Sequence, residues 1–194
     1  MRRTNLYVFL IGTAILLMLA SCAGSVKRID LSYTPDQIGP FPKANAVQEV
    51  IINKFRDSRT ERQIGGALNY EGTVFYTVEA NNDVSAWVTG ALAAELGNAG
   101  FKVVLGEDLS DPEKFVVAGN VADVSAWGVL GNMRVTIQVM KGFKTLLNQT
   151  YNAAGKVPSD NVYLTNYVKL YDLTLQDLLR KAIPQIIAAM NQAP

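Results

Sequence analysis

Histidine is missing from this 194-residue chain, and cysteine occurs once, at Cys22. The first absence excludes Ser-His-Asp and Cys-His catalysis and histidine-ligated metals. The second excludes an intrachain disulfide and a cysteine zinc site. A charge imbalance is missing as well. Lys and Arg number 18 against 17 Asp and Glu, a net charge of +1. The positive field that draws proteins to nucleic acid is therefore not available. Glycine-rich phosphate loops are also lacking: Ile64-Gly65-Gly66 matches neither G-x-G-x-x-G nor G-K-[ST] and reads as a turn. No repeat or low-complexity run is visible. What is present is 49% hydrophobic and 18% charged residues. That balance predicts one folded domain, large enough to bury a core without disulfide or metal.

The first segment reads as an address. Arg2 and Arg3 precede an uncharged run from Leu6 to Ala20, followed by small residues. This is the order of a secretory signal peptide. As a helix the run would reach about 22 Å, short of the roughly 30 Å hydrocarbon core, so a permanent span is disfavoured. The single cysteine follows directly. Leu19-Ala20-Ser21-Cys22 resembles the lipobox of bacterial lipoproteins. The resemblance implies cleavage before Cys22, diacylation of its thiol and acylation of the new amino group. Ala23 and Gly24 follow where an Asp would favour inner-membrane retention, so the resemblance implies the outer membrane, facing the periplasm. Cleavage removes Arg2 and Arg3, which leaves 16 basic against 17 acidic side chains. Anchoring is then assigned to acyl chains, each buried methylene contributing about 0.8 kcal/mol, and not to a basic patch.

Residues 23–45 carry Gly24, Pro35, Gly39, Pro40 and Pro42 without a lasting apolar period, and read as a lipidated tether with a reach of at most roughly 75 Å. The domain is expected over 46–194. A first strand is predicted over 46–55, apolar on both pleat faces, and a second over 73–79. Asp83 opens a helix whose stripe is Val84, Trp87, Val88, Ala91, Leu92 and Leu96, and Gly100 closes it. Strands follow at 101–105, 115–124, 130–140 and 143–153. The third of these alternates cleanly, and Lys141-Gly142 supplies a hairpin turn. A last helix is predicted over 172–190, with Pro184 expected to kink or split it. The order β-β-α-β-β-β-β-α describes an α+β fold: a mixed, largely antiparallel sheet packed against two main helices.

Candidate sites are few. Arg56, Asp57, Arg59, Glu61 and Arg62 form the densest charge cluster. It reads either as a partner-binding loop at a strand end or as a solvated loop with weak local ion pairs. Asp57 as a general base lacks a second carboxylate or a nucleophile at useful spacing. Tyr163, Tyr167 and Tyr171 would share one helix face. They form either an exposed contact row or rings packed on the sheet with hydroxyls in water. Trp87 reads as core. Trp127 lies near a strand connection, where it is either core or partly exposed. No cofactor or metal site is expected.

The text Val50-Ile51-Ile52-Asn53-Lys54-Phe55-Arg56-Asp57-Ser58-Arg59, with Ile64-Gly65, Asn82-Asp83 and the helix exit Leu96 to Val104, resembles the YajG-like family of bacterial lipoproteins. The resemblance implies location and fold more than activity. The expected function is a non-catalytic accessory or adaptor in envelope assembly, transport or maintenance. Acylated Cys22 provides the anchor, and Arg56, Asp57, Arg59 or the tyrosine row provides the contact with an envelope protein. The alternative is a carrier or sensor of an apolar ligand such as a lipid.

Overall fold

Strict alternation makes strand β8 (Leu130–Lys141). Met133, Val135, Ile137 and Val139 are buried on one face, while Asn132, Arg134, Thr136 and Gln138 line the other. It sits between β7 (Phe115–Trp127) and β9 (Lys144–Lys156), both antiparallel to it. The β8–β9 connection is the tight turn anticipated at Lys141-Gly142, with Gly142 at φ 54. The computed structural model describes residues 25–35, 41–45, 48–69, 71–106, 113–158 and 164–193. Cys22 and Tyr163 lie outside them.

The other edge of β7 is occupied by one stretch of chain that touches it three times. β2 (Glu49–Ile52) pairs with residues 115–117, β3 (Arg56–Asp57) with 120–121, and β4 (Gln63–Leu68) with 126–127, all parallel. The predicted strand over 46–55 is thus shorter and is followed by two more. From β4 the sheet continues through β5 (Val74–Ala80), antiparallel, to an edge strand β1 (Ser25–Ile29), parallel to β5. β6 (Lys102–Leu105) borders β2. The result is a mixed sheet of nine strands, most of its pairing antiparallel, with two helices among the described residues.

Two expectations are corrected here. Gly65 and Gly66 sit inside β4 and not in a turn. A Cβ on Gly65 would meet the Ala126 carbonyl oxygen at 2.1 Å, so the close approach of β4 to β7 is what requires glycine. The tether reading of 23–45 also fails over much of its length. β1 is part of the sheet, and beyond it Leu31 is buried. The Asn82 side chain grips Leu31 like a strand partner, accepting from its N–H at 2.8 Å and donating to its carbonyl at 2.9 Å. Tyr33 donates to the Glu95 carboxylate, and the Ala44 N–H reaches the Ala99 carbonyl at 3.0 Å. The described parts of the segment, 25–35 and 41–45, form a strap across the domain.

Helix α1 (Val84–Asn98) begins as predicted, with the Asp83 carboxylate accepting from Ser85 and Ala86 N–H groups. It ends with Gly100 at φ 101 and the Phe101 N–H on the Leu96 carbonyl, a Schellman closure. Its buried surface is wider than one apolar stripe. Thr89 is buried too, accepting from the Phe55 N–H at 3.0 Å and donating to the Ser85 carbonyl at 2.7 Å.

Helix α2 (Leu164–Asn191) lies across β8 and β9 and starts eight residues earlier than expected. Leu175, Leu178, Leu179, Ala182, Ile183 and Ile186 are all fully buried. It runs through Pro184 unbroken. Contact is closest where Gly131 and Gly155, register partners, face Thr174; a Cβ on either would stand 2.5 or 2.3 Å from its Oγ1. Side chains of α2 also cover the free edge of β9. Asp177 accepts from the Ala154 N–H at 3.0 Å, and Lys181 donates to the Asn152 carbonyl at 2.9 Å.

Candidate functional site

The gaps between β2, β3 and β4 create the most chemically loaded surface. Where the chain leaves β7 after Ile52 and again after Asp57, it projects Lys54, Arg59 and Arg62 sideways. These face Arg28 on β1, Glu79 on β5 and Asp83 at the head of α1 across a cleft of about 750 Å³. Phe55 anchors the loop: its ring fills the space a side chain on Gly119 would need, 2.3 Å from that Cβ position.

The charges in the cleft are organised in pairs. Asp57 accepts a fork from Arg59, Nε to Oδ1 at 2.9 Å and Nη2 to Oδ2 at 2.7 Å, and takes the Arg59 backbone N–H at 3.1 Å as well. The Arg59 guanidinium therefore holds the Asp57 carboxyl below the usual carboxylate range, against the opposing effect of burial. Such a carboxylate is a weak base at neutral pH. The third guanidinium nitrogen, Nη1, is buried without an acceptor among the described residues. Lys54 Nζ reaches Asp83 Oδ2 at 2.5 Å, and the Ser85 hydroxyl donates to Oδ1 at 2.6 Å. Together, Lys54 first, they hold the Asp83 carboxyl well below its ordinary range. Arg28 Nε meets Glu79 Oε2 at 3.4 Å.

The predicted cluster does not act as one surface. Asp57, Arg59 and Arg62 line the cleft, but Arg56, adjacent on β3, points to the other side of the sheet. There it borders a smaller groove with Ser58, Asn120, Thr136, Gln138 and Asn148. Glu61 is exposed beside Trp127 at a third depression. Sequence reasoning missed Arg28, which lay in the supposed tether. It saw Asp83 only as a cap and Lys54 only as motif text. Val26-Lys27-Arg28-Ile29 does not alternate apolar with polar residues, so no local strand signal marked it.

The tyrosine row is corrected. Tyr167 and Tyr171 are fully buried, so neither offers a contact surface. Their hydroxyls do not reach water either: Tyr167 donates to the Gly66 carbonyl at 2.6 Å and Tyr171 to the Ile64 carbonyl at 2.5 Å. Burial, and then the neighbouring tyrosine in each case, pushes both phenols above their ordinary range. Tyr167 and Tyr171 form a latch between α2 and β4. Trp87 is core, and Trp127 is partly exposed.

No protein-family model matches the sequence, and a search of curated proteins finds no match. Solved structures do share the fold. The protein XCC0632 of Xanthomonas campestris, of family DUF330, is similar over 87% of this chain and 98% of its own, at 9% identity and a TM-score of 0.59. The hypothetical protein CT253 of Chlamydia trachomatis covers 74% and 98% at 11% identity and 0.51. PelC of Paraburkholderia phytofirmans, solved as a dodecamer, covers 76% and 95% at 13% identity and 0.51. The fold is thus one that bacterial proteins of very different sequence adopt. No helix among the described residues is long and apolar enough to cross a membrane.

Proposed function

We propose that this chain is a lipid-anchored, non-catalytic accessory domain of the bacterial envelope, akin to the YajG-like lipoproteins, held at the outer membrane and facing the periplasm. The observation that carries the reading is Cys22, the sole thiol, placed where a signal-type segment ends and three positions before the first strand of the fold begins. The cleft between β1, α1 and the 54–62 loop is the contact site for an envelope protein. One feature supports that role: its lining is charged and polar, with Arg28, Lys54 and Arg62 set around Glu79 and Asp83. An adaptor is favoured over a carrier of apolar ligands because the larger cleft is charged and polar, whereas the apolar pocket between α1 and the β2–β6 end of the sheet, lined by Ile52, Ala86, Gly90 and Leu105, has about half its volume.

Replacing Cys22 with Ser tests the anchor. Acylation, processing and recovery in the membrane fraction are all expected to be lost. A variant that is still processed and membrane-bound refutes the anchor. Photo-crosslinkers placed at Asp57 and Arg62 test the contact. They are expected to capture one envelope protein, and Arg28→Glu across the cleft is expected to abolish that adduct. No adduct at either position refutes the cleft as a contact site.

A further inference from the structure

The strand registers bring one set of exposed apolar side chains to one end of the sheet. β4 runs parallel to β7, so its last residue, Leu68, lies near the end of β7 at Trp127. β5 is antiparallel to β4 and β1 parallel to β5, so Val74, Phe75 and Val26 stand at that same end. Leu130 pairs with Trp127. These six are between 39% and 68% exposed, and they are six of the nine large exposed hydrophobic residues among those described. The Trp127 ring lies over Gly66, 2.9 Å from where a Cβ would be, which joins the β7 tip to the β4–β5 tip. Phe143, by contrast, is at the opposite end in the β8–β9 turn.

The chain leading to Cys22 leaves the sheet here. Ser25 is opposite Tyr76 at the start of β1. Between it and Cys22 lie only Ala23 and Gly24. Fully extended, that connection spans about 10 Å. If Cys22 carries acyl chains in the bilayer, this end of the sheet is held at the lipid surface and cannot stand off. Exposed Trp and Phe beside aliphatic side chains are the residues that settle at a headgroup boundary.

We propose that this tip is a membrane-docking face. The domain rests end-on on the bilayer that holds its acyl chains, with Trp127, Phe75, Leu68 and Leu130 in the headgroup–acyl boundary and the Phe143 turn pointing away. The proposal rests on the lipidation of Cys22 proposed above. Its occupant is the lipid surface, because the leash is too short to keep that surface from the tip.

The experiment uses the purified lipidated protein in vesicles of phosphatidylethanolamine and phosphatidylglycerol, some lipids carrying a shallow spin-label quencher. Trp87 is buried, so the quenchable emission belongs to Trp127. A severalfold loss of that emission is expected, with matching protection from aqueous acrylamide. A second protein, Trp127→Phe with Phe143→Trp, moves the reporter to the far end, where lipid quencher is expected to have no effect. Flotation of the vesicles is scored first. Failure to float rejects the lipidation reading and this one with it. Flotation with Trp127 open to acrylamide and untouched by lipid quencher overturns the docking face alone. Equal protection without vesicles, accompanied by a doubled mass, assigns the tip to a second copy and also overturns it.

Discussion

Single atoms decide the centre of this fold. The Tyr171 hydroxyl serves the Ile64 carbonyl in a place water does not reach, so Tyr171→Phe leaves that acceptor short of a partner. The expected cost is about 1–3 kcal/mol by denaturant titration. The same latch gives the protein an alkaline limit. Both buried phenols have folded pKa values above the unfolded one, so their contribution is intact below about pH 10 and is lost as pH rises beyond it. Stability measured from pH 8 to 11 is expected to fall, and the fall should be shallower in Tyr171→Phe. Gly65→Ala is expected to be worse than either loss, because the obstacle is the Ala126 backbone oxygen and backbone does not step aside. Separation of β4 from β7 should cost upward of about 3 kcal/mol, a loss at the large end for a point mutation.

Elements with a strong local pattern could be read in advance, even β6, whose partner β2 is distant, and those without one could not. The alternation of β8, the turn at Gly142, the Asp83 cap and the apolar stripe of α2 each follow from local periodicity and capping chemistry. β1 eluded this reading because its five residues depend on a strand 51 positions away. The three-part contact of β2, β3 and β4 with β7 was equally hidden, since no local pattern shows where a parallel neighbour releases the chain. The cleft was half legible for the same reason: Asp57, Arg59 and Arg62 were visible as a charge cluster, while Arg28 and Glu79 join them only through sheet topology. Asn82→Ala tests whether 25–35 is strap or tether. Loss of both Leu31 backbone contacts should destabilise by about 1–3 kcal/mol, whereas a free tether would show no change. Pro184→Ala tests α2 in the other direction. The helix is unbroken there, so restoring the missing N–H should raise stability by about 1–3 kcal/mol in thermal melts.

At the scale of the molecule, one sheet carries everything. All nine strands of the described residues belong to it, and one hydrophobic core joins Ile29 of β1 to Met190 near the end of α2. Among the described residues the elements share that core, so unfolding should be a single event. Calorimetric and van't Hoff enthalpies are expected to agree, with far-UV and tryptophan signals melting together. The parallel pairing of β1 with β5 carries a further implication for biogenesis. The ribosome makes β1 before its strand partner, Tyr76 to Ala80, which follows fifty-one residues later. Through that interval the nascent segment has no β5 to pair with, and it takes its place in the sheet only after β5 has emerged.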